Sequence, residues 1–412
     1  MNFKSEFLNE INERGFIYQH IDIKDLDNLM SKNKISGYIG FDITSDSLHV
    51  GSLIQLMLLH WLDFYGHQSI ALIGGGTTLI GDPSGKDQTR KILSKKEIDR
   101  NISNIELTFS RFINLQNNSL IINNYEWLSN LNYIDFLREF GSRITLNKML
   151  TFESVKSRLD REQPLTILEF NYMLLQAYDF YYLNKNHNCV LQMGGSDQWG
   201  NILSGVDLIR KINKNEAFGV TSPLITNSDG SKMGKTADGA VWLNKEKISS
   251  LNFFQFWRNV NDQDVSRFLY LFTKLPLDEI KKLSALKNQE INEAKKILAF
   301  EVTKIVRGTE EANEALEIAD NTFNSKIVDQ RLPNISQNVS DIENNNFTIL
   351  DAIEKLKLAS SRSEVKRLIK SDGIKVNDTL YKNNDLSLRE YSALKEIKIA
   401  VGKKKIGILK II

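Results

Sequence analysis

The sequence contains a single cysteine, Cys189, and no long apolar run. One cysteine excludes an intrachain disulfide framework and a cysteine-based zinc site, and it favours a reducing, cytoplasmic setting. Because no stretch approaches about 18 consecutive apolar residues, we expect no membrane-spanning helix and no membrane partner. The first 20 residues mix three glutamates with Lys4 and Arg14, unlike a secretory signal or an acid-poor transit peptide.

The remaining composition is typical of a globular chain. The 412 residues are 41% hydrophobic and 25% charged, which is enough apolar material for a sizeable core. At about 150 residues per domain, the length predicts two or three domains. The net charge of +2 is unevenly distributed, because residues 347–412 hold 15 Lys and Arg against 8 Asp and Glu. This basic piece indicates a polyanionic partner, with nucleic acid first, or else a solvated lysine-rich tail.

Apolar periodicity predicts an α/β fold with a Rossmann-like, doubly wound parallel sheet. Two units carry this prediction: strand 36–41, helix 48–65 and strand 69–73, and later strand 189–193 with helix 199–212. Asp46 and Ser47 are placed to cap the first of these helices.

The pattern divides the chain into four parts. They are residues 1–225 with a helical insertion over about 101–182, residues 226–325, a polar linker over 326–346, and residues 347–412. The first part holds the sheet, the second begins with a lysine-containing loop and continues as helices, and the last is expected to form a small α+β domain.

The segment Thr44–Ser52 places His49 and Gly51 in the first turn of a predicted helix. Free N–H groups and the helix dipole attract anions there, and a histidine can donate a hydrogen bond to phosphate. A capped helix with a surface histidine is the alternative interpretation.

The segment Gly74–Lys86 contains five glycines, with Asp82 inside it and Arg90 one turn beyond. A basic, glycine-rich loop suits pyrophosphate, whose negative charge grows as it leaves. A plain glycine-rich turn is the alternative.

Tyr172, Gln176 and Asp179 follow the spacing i, i+4, i+7, which puts them on one face of a helix among apolar residues. They could read a polar group on a small aromatic ligand, or form the solvated side of an amphipathic helix.

Two later segments, Gly194–Asn201 and Asp229–Thr236, also carry candidate ligand groups. Asp197 follows a glycine turn and suits ribose hydroxyls. Lys232 and Lys235 flank a glycine in a loop after a predicted strand at 224–226. This loop is not a P-loop, because three residues rather than four separate its glycines.

Taken together, these segments resemble the bacterial-type tyrosyl-tRNA synthetases, which are class I aminoacyl-tRNA synthetases. His49–Ser52 is similar to the His-Ile-Gly-His motif, and Lys232–Thr236 is similar to the Lys-Met-Ser-Lys-Ser motif in its tyrosyl form. Gly40–Asp42, Gly81–Lys86 and Gly194–Asn201 are typical of the same family. Each motif is weak alone, but the five in this order are specific and span nearly the whole chain.

The resemblance implies activation of L-tyrosine with ATP, followed by transfer of the tyrosyl group to the terminal adenosine of tRNA-Tyr. Tyr38 and Asp179 would bind the phenolic hydroxyl. The α-ammonium group would meet Asp82, Tyr172 and Gln176, and Gln198 would lie near the carboxylate.

The resemblance also assigns residues to the nucleotide and to the transition state. The ATP-binding residues would be Asp42, His49, Gly51, Gly195, Asp197 and Lys235. The catalytic residues would be His49, Lys86, Arg90, Lys232 and Lys235. Mg²⁺ would accompany ATP, with no protein-bound metal and no prosthetic group.

The C-terminal part resembles a small RNA-binding module. Ser361 begins a capping box, and the helix behind it carries four cations on or beside one face: Arg362, Lys366, Arg367 and Lys370. The expected partner is tRNA rather than DNA. The family also implies a homodimer through the helical insertion, with apolar area from Tyr133, Ile134, Phe136, Leu137 and Phe140.

Two departures from the family pattern bear on activity. Ser52 stands where the first motif has its second histidine, and Ile43 stands where many relatives have proline. We expect Ser52 to slow activation rather than abolish it, because serine still donates a hydrogen bond. The alternatives are a tryptophanyl-type synthetase and a synthetase-derived RNA-binding cofactor with weakened catalysis.

Overall fold

The computed structural model describes residues 2–82, 94–236, 239–324, 332–359, 361–383, 385–402 and 405–412. Within these ranges, the side chains of residues 117, 153–154, 235–236 and 322–324 are not described. None of the helices described combines the length and the apolar character that crossing a bilayer requires.

A six-stranded sheet organises the first half of the chain. Its strands are β1 (Gln19–Ile21), β2 (Ser36–Asp42), β3 (Gln68–Gly74), β4 (Leu120–Asn123), β5 (Cys189–Gly195) and β6 (Phe218–Ser222). They lie in the order β1-β6-β5-β2-β3-β4. All neighbours are parallel except β1, which pairs antiparallel with β6. The predicted α/β fold with a doubly wound sheet is therefore confirmed, with one antiparallel edge strand added.

Helices cover both faces of this sheet. They are α1 (Glu6–Glu13), α2 (Ile23–Met30), α3 (Leu53–Phe64), α4 (Thr77–Ile80), α5 (Lys95–Phe109), α6 (Tyr125–Leu128), α7 (Tyr133–Glu139), α8 (Leu146–Met149), α9 (Glu153–Asp160), α10 (Ile167–His187) and α11 (Trp199–Ile212). Apolar side chains of α1 and α3 share one buried cluster, and those of α10 and α11 share another. The central strands are apolar along their length because both of their faces are covered.

The sequence predictions were wrong at three places in this region. Strand β4 lies inside the stretch 101–182 that was predicted to be a helical insertion, and it extends the sheet. A 3₁₀ turn over Val50–Ser52 precedes α3, so the helix predicted from residue 48 begins at Leu53. The strand after α11 is β6 rather than 224–226, and it ends at Ser222, because Pro223 has no N–H to continue the ladder.

A helical region follows the sheet. A short hairpin of β7 (Lys235–Thr236) and β8 (Gly239–Ala240) leads into α12 (Ser250–Arg258), α13 (Asp262–Phe272), α14 (Leu277–Ser284), α15 (Ile291–Arg307) and α16 (Thr309–Asn324). Their core aromatic side chains, including Phe253, Trp257 and Phe268, belong to the same apolar cluster as α1 and α3. The sheet and the helical region therefore share a continuous core.

The C-terminal part has its own core. It contains β9 (Asn334–Gln337), α17 (Val339–Glu343), α18 (Ile349–Lys355), α19 (Arg362–Lys370), β10 (Ile374–Val376), β11 (Thr379–Leu380), β12 (Glu396–Val401) and β13 (Lys405–Ile411). The strands form a sheet in the order β11-β10-β12-β13-β9. The linker predicted over 326–346 is wrong for its second half, because β9 pairs in parallel with β13 and Ile342 enters the core.

Candidate active site

A cavity of about 390 Å³ opens at the carboxyl ends of β2 and β5. This is the edge of a parallel sheet where ligands bind. Eleven of the site residues that the sequence indicates line it, together with others: Tyr38, Asp42, His49, Gly51, Asp82, Tyr172, Gln176, Asp179, Gly195, Asp197 and Gln198. Strands β2 and β5, helix α10 and the turn before α3 thus bring distant segments to one place.

Asp179 lies at the closed, apolar end of the cavity. It is 2% exposed, and its two carboxylate oxygens accept hydrogen bonds from Trp127 Nε1 at 2.7 Å and Asn124 Nδ2 at 2.9 Å. Burial raises the pKa of the Asp179 carboxyl to about 7, although these two hydrogen bonds act to lower it. The carboxylate is therefore held in one orientation with little solvation.

Tyr38 lies beside Asp179 at the same end of the cavity. Its ring packs against Phe180, with 5.3 Å between the ring centroids. Its hydroxyl is buried and has no hydrogen-bond partner among the described residues. Burial and the nearby Asp179 raise the pKa of the Tyr38 phenol well above its usual value, so the hydroxyl stays neutral. A hydroxyl and a carboxylate together can bind a ligand hydroxyl that both donates and accepts.

A second group of polar side chains forms the middle of the cavity. The Tyr172 hydroxyl donates to Asp42 Oδ1 at 3.1 Å, and the Thr77 hydroxyl donates to the same oxygen at 3.0 Å. The family resemblance assigns Asp42 to ATP binding and Tyr172 to tyrosine binding. The two side chains are directly hydrogen-bonded to each other.

Gln176 and Gln198 are joined through Asn201, the last residue of the motif Gly194–Asn201, which the sequence left without an assigned role. Asn201 Nδ2 donates to Gln176 Oε1 at 2.9 Å and to Gln198 Oε1 at 3.0 Å. Gln198 Nε2 in turn donates to Asp82 Oδ2 at 2.9 Å. This chain of amides orients the Asp82 carboxylate toward the cavity that it lines.

The middle of the cavity favours positive charge. Burial and the neighbouring Asp82 carboxylate raise the pKa of the Asp197 carboxyl above its usual value. Two close carboxylates with little water repel each other, and a cation placed between them relieves that repulsion. An ammonium group is the natural ligand for this part of the site.

The turn before α3 presents His49 at the cavity's exposed rim. His49 Nδ1 accepts a hydrogen bond from the Gly51 N–H at 3.0 Å, so the neutral ring carries its proton on Nε2. A Cβ on residue 51 would lie 2.6 Å from the His49 ring, so this arrangement requires glycine. The imidazole is thereby oriented as an N–H donor.

The lysine-containing loop packs against this turn. Gly234 has φ +78°, and a Cβ there would lie 2.3 Å from Val50 Cγ2. Lys232 is exposed and close enough to Asp197 to affect its carboxyl. Lys235 is in β7, but its side chain is not described. Lys86 and Arg90 lie outside the described residues.

Three residues of the site were given no role from the sequence. Asn124 and Trp127 follow strand β4, which the periodicity did not reveal, and Asn201 ends the motif Gly194–Asn201, in which only Gly195, Asp197 and Gln198 were assigned roles. Their roles depend on tertiary contacts with residues 25 to 55 positions away. A single sequence does not report such contacts.

The predicted RNA-binding side chains of α19 are all exposed. Ser361 caps the helix, accepting from the Glu364 N–H. Arg362 also bonds to Asp351 at 2.6 Å and to Glu354 at 2.8 Å, so its guanidinium ties α19 to α18. Lys366, Arg367 and Lys370 face solvent.

Comparison with known proteins identifies the family. Residues 30–324 match the model for tRNA synthetases class I (W and Y). The tyrosine–tRNA ligase of Pelagibacter ubique is 50% identical over 97% of this chain and 98% of that protein. That of Bartonella quintana is 49% identical over 99% of both chains.

A solved structure agrees with these matches. The C-terminally truncated mitochondrial tyrosyl-tRNA synthetase of Aspergillus nidulans is 29% identical and superimposes with a TM-score of 0.70, covering 77% of this chain and 94% of that one. The chain therefore belongs to the class I tRNA synthetases of the tryptophan and tyrosine (W and Y) family.

Proposed function

We infer that the chain is a tyrosine–tRNA ligase, which activates L-tyrosine with ATP and transfers the tyrosyl group to tRNA-Tyr. Relatives of about 50% identity over nearly the whole chain bear this name. The observation in the site that carries the inference is the pair of Tyr38 and Asp179 at the closed end of the cavity. An indole offers an N–H donor but no hydroxyl, so this pair favours tyrosine over tryptophan.

The cavity's geometry supports one orientation of tyrosine. The phenolic hydroxyl would donate to Asp179 and meet the Tyr38 hydroxyl. The α-ammonium group would lie near Asp82, Tyr172 and Gln176, where carboxylates favour a cation. The substrate carboxylate would then lie near Gln198 and face the exposed rim of the cavity.

Activation needs no protein nucleophile. A carboxylate oxygen of tyrosine attacks the α-phosphorus of ATP, and the bond from that phosphorus to the pyrophosphate oxygen breaks. Catalysis is therefore positioning plus stabilisation of the charge that develops on the phosphates. We assign this stabilisation to His49 and Lys232, and to Lys86, Arg90 and Lys235 on the strength of the resemblance. Asp197 and Gly195 would hold the ribose, and Asp42 and Gly51 would complete the nucleotide site.

The second step transfers the tyrosyl group to RNA. A ribose hydroxyl of the terminal adenosine attacks the activated carbonyl, and AMP leaves. The exposed cations Lys366, Arg367 and Lys370 support a phosphate contact from the C-terminal part. We propose that Arg362 contributes while it also holds α19 to α18.

Ser52 does not favour the alternative of a weakened RNA-binding cofactor. It lines the cavity beside His49 and Gly51, where its hydroxyl can still donate to a phosphate oxygen. No group of three or more His, Cys, Asp or Glu side chains suited to a metal occurs among the described residues. We propose that Mg²⁺ arrives with ATP, bound to its phosphates, and that the enzyme acts in the cytoplasm.

Amino-acid-dependent ATP–pyrophosphate exchange tests the activity directly. We expect exchange with tyrosine, and none above background with phenylalanine or tryptophan at equal concentration. Formation of tyrosyl-tRNA with tRNA-Tyr should follow under the same conditions. Exchange with tryptophan would show the tryptophanyl alternative to be correct. Binding of tRNA without any exchange would favour the cofactor alternative.

We also propose that the enzyme is a homodimer through the region from the end of β4 to the first turn of α10. Large apolar side chains are exposed there on Tyr133 (63%), Ile134 (62%), Leu146 (64%) and Ile167 (80%). Phe136 and Phe140, predicted to supply contact area, are instead buried inside the chain against α10. Exposed apolar area of this kind supports an interface.

The substitutions Ile134→Asp and Ile167→Asp together are expected to convert the dimer to a monomer. A carboxylate in an apolar contact is desolvated without a partner, whereas it costs little on an exposed surface. Light scattering would report the mass, which for the dimer is twice 47.2 kDa. Leu107→Asp on α5, where the leucine is 71% exposed, is the matched control and should leave the mass unchanged. A double variant that stays dimeric would place the interface elsewhere.

A further inference from the structure

A short segment over 241–243 connects the two motif loops of the site. Val50 N–H donates to the Val241 carbonyl at 2.9 Å, and Val241 N–H donates to the Gly234 carbonyl at 2.8 Å. Leu243 N–H donates to the Leu48 carbonyl at 2.8 Å. The segment therefore lies between the His49 turn and the lysine loop and pairs with both.

Trp242, in the middle of this segment, belongs to the wall of the cavity. Its backbone bridges to His49, and its ring stands edge-on to the His49 ring with 6.3 Å between centroids. Lys247 lies over the Trp242 ring and also pairs with Asp46 at 2.5 Å. The position of His49 is thus coupled to the position of Trp242.

Arg307, the last residue of α15 in the helical region, holds the segment from its other side. One nitrogen, Nη2, donates to the Trp242 carbonyl and to the Ile248 carbonyl, both at 3.2 Å. The guanidinium lies over the Phe253 ring at 5.0 Å. Arg307 therefore fixes both ends of the stretch 242–248 to the helical core.

Burying the Arg307 guanidinium costs free energy, and this cost argues that the residue has a positional role. Arg307 is 6% exposed, and its Nε and Nη1 have no acceptor among the described residues. Burial lowers the pKa of the guanidinium to about 10, with Arg111 adding repulsion and Glu311 opposing the shift. An apolar side chain would fill this space without desolvating a charge. What the arginine supplies, and an apolar side chain would not, is the pair of hydrogen bonds to the Trp242 and Ile248 carbonyls.

We propose that Arg307 is a positioning residue of the adenylation site, which sets the productive geometry of His49 and the lysine loop through the Trp242 segment. It acts on the nucleotide end of the cavity, because the Trp242 carbonyl that it binds belongs to the residue beside His49, whereas Tyr38 and Asp179 lie on β2 and α10. This inference rests on the proposed activity, since it concerns the ATP-dependent step.

Arg307→Met tests the proposal in ATP–pyrophosphate exchange. We expect the KM for ATP to rise or kcat to fall by about tenfold, since small misplacements of reacting groups cost up to about 10²-fold. The KM for tyrosine should stay within about twofold of the wild-type value, a much smaller change than the one expected for ATP. Arg307→Lys should recover much of the loss, because both carbonyl bonds come from a single nitrogen.

A second buried arginine provides the matched control. Arg14 is 3% exposed and donates to the carbonyls of Tyr270, Thr273 and Leu275, and none of these four residues lines the cavity. Arg14→Met should lower the melting temperature without changing the KM for ATP.

Equal effects of Arg14→Met and Arg307→Met on the KM for ATP, or no effect of Arg307→Met in a folded protein, would overturn the proposal. A wild-type enzyme inactive with tyrosine would instead overturn the proposed activity itself. If Arg307→Met does not fold, Arg307→Gln takes its place, because the shorter amide cannot reach both the Trp242 and the Ile248 carbonyls; a wild-type KM for ATP and kcat with lowered stability in Arg307→Gln would show a structural role only.

Discussion

Replacing Asp179 by asparagine is expected to lower kcat/KM for tyrosine in ATP–pyrophosphate exchange by about 10²- to 10³-fold. Asparagine has nearly the same shape, so the fold should survive. Its NH₂ group, however, must face either the Trp127 N–H or the Asn124 NH₂ group, both of which now donate to Asp179. A charged hydrogen bond to the substrate is lost and a buried donor is left unpaired, at a combined cost of about 3–4 kcal/mol.

The same substitution should erode the selection of tyrosine over phenylalanine. A site built to bind a hydroxyl rejects the analogue without one, and tyrosyl-tRNA synthetases are themselves the known case, at about 10⁵-fold. Asp63→Asn is the control, because Asp63 also accepts two hydrogen bonds, from Ser119 and Asn114, but does not line the cavity. Unchanged selectivity in Asp179→Asn would show that another group reads the hydroxyl.

The pH dependence gives this prediction a second measurement. The pKa of the free-enzyme Asp179 carboxyl is raised to about 7, and kcat/KM reports ionisations of the free enzyme. Because the carboxylate is the acceptor, kcat/KM for tyrosine should fall as the pH drops through 7 in the wild type and stay flat in Asp179→Asn. Trp127→Phe removes a hydrogen bond that lowers this pKa, so its inflection should move to higher pH.

The fold was largely predictable where the apolar pattern is long and unbroken. Strands β2, β3 and β5 were expected within one or two residues, and α11 was expected at its observed bounds. Strand β4 was missed because four residues between helices carry no distinguishing period. β9 was missed because its residues are mostly polar and its pairing partner lies about 70 residues later in the chain.

The residues of the candidate site also fall into two groups, those that could be assigned from the sequence and those that could not. Residues in ordered motifs, such as His49 and Asp197, could be assigned from the sequence because the motifs are contiguous. Asn124, Asn201 and Arg307 act through hydrogen bonds to residues distant in the sequence, which leave no local pattern. The α-helical spacing of Tyr172, Gln176 and Asp179 predicted that they share one face. It did not predict which hydrogen-bond partners each of them would have.

His49→Ala is expected to lower kcat for exchange by about 10²-fold, the typical loss when one donor to a transition-state oxygen is removed. The KM for tyrosine should be unchanged, because His49 lies at the exposed rim and not beside Asp179. His20→Ala, at an exposed histidine of β1, should leave both parameters unchanged.

His49→Asn separates the catalytic donor from the structural bond. The imidazole has two roles in the proposed mechanism: Nδ1 accepts from the Gly51 N–H, and Nε2–H would donate to a phosphate oxygen. Asparagine is a good acceptor for a backbone N–H at a helix start, so it should keep the turn intact. Its amide nitrogen remains available to donate, although it reaches less far than Nε2. We therefore expect activity in the order wild type, His49→Asn, His49→Ala, with equal melting temperatures for the first two. Equal losses in both variants, with a raised KM for tyrosine, would mean that His49 only shapes the turn. Full activity of His49→Ala would remove it from the catalytic step altogether.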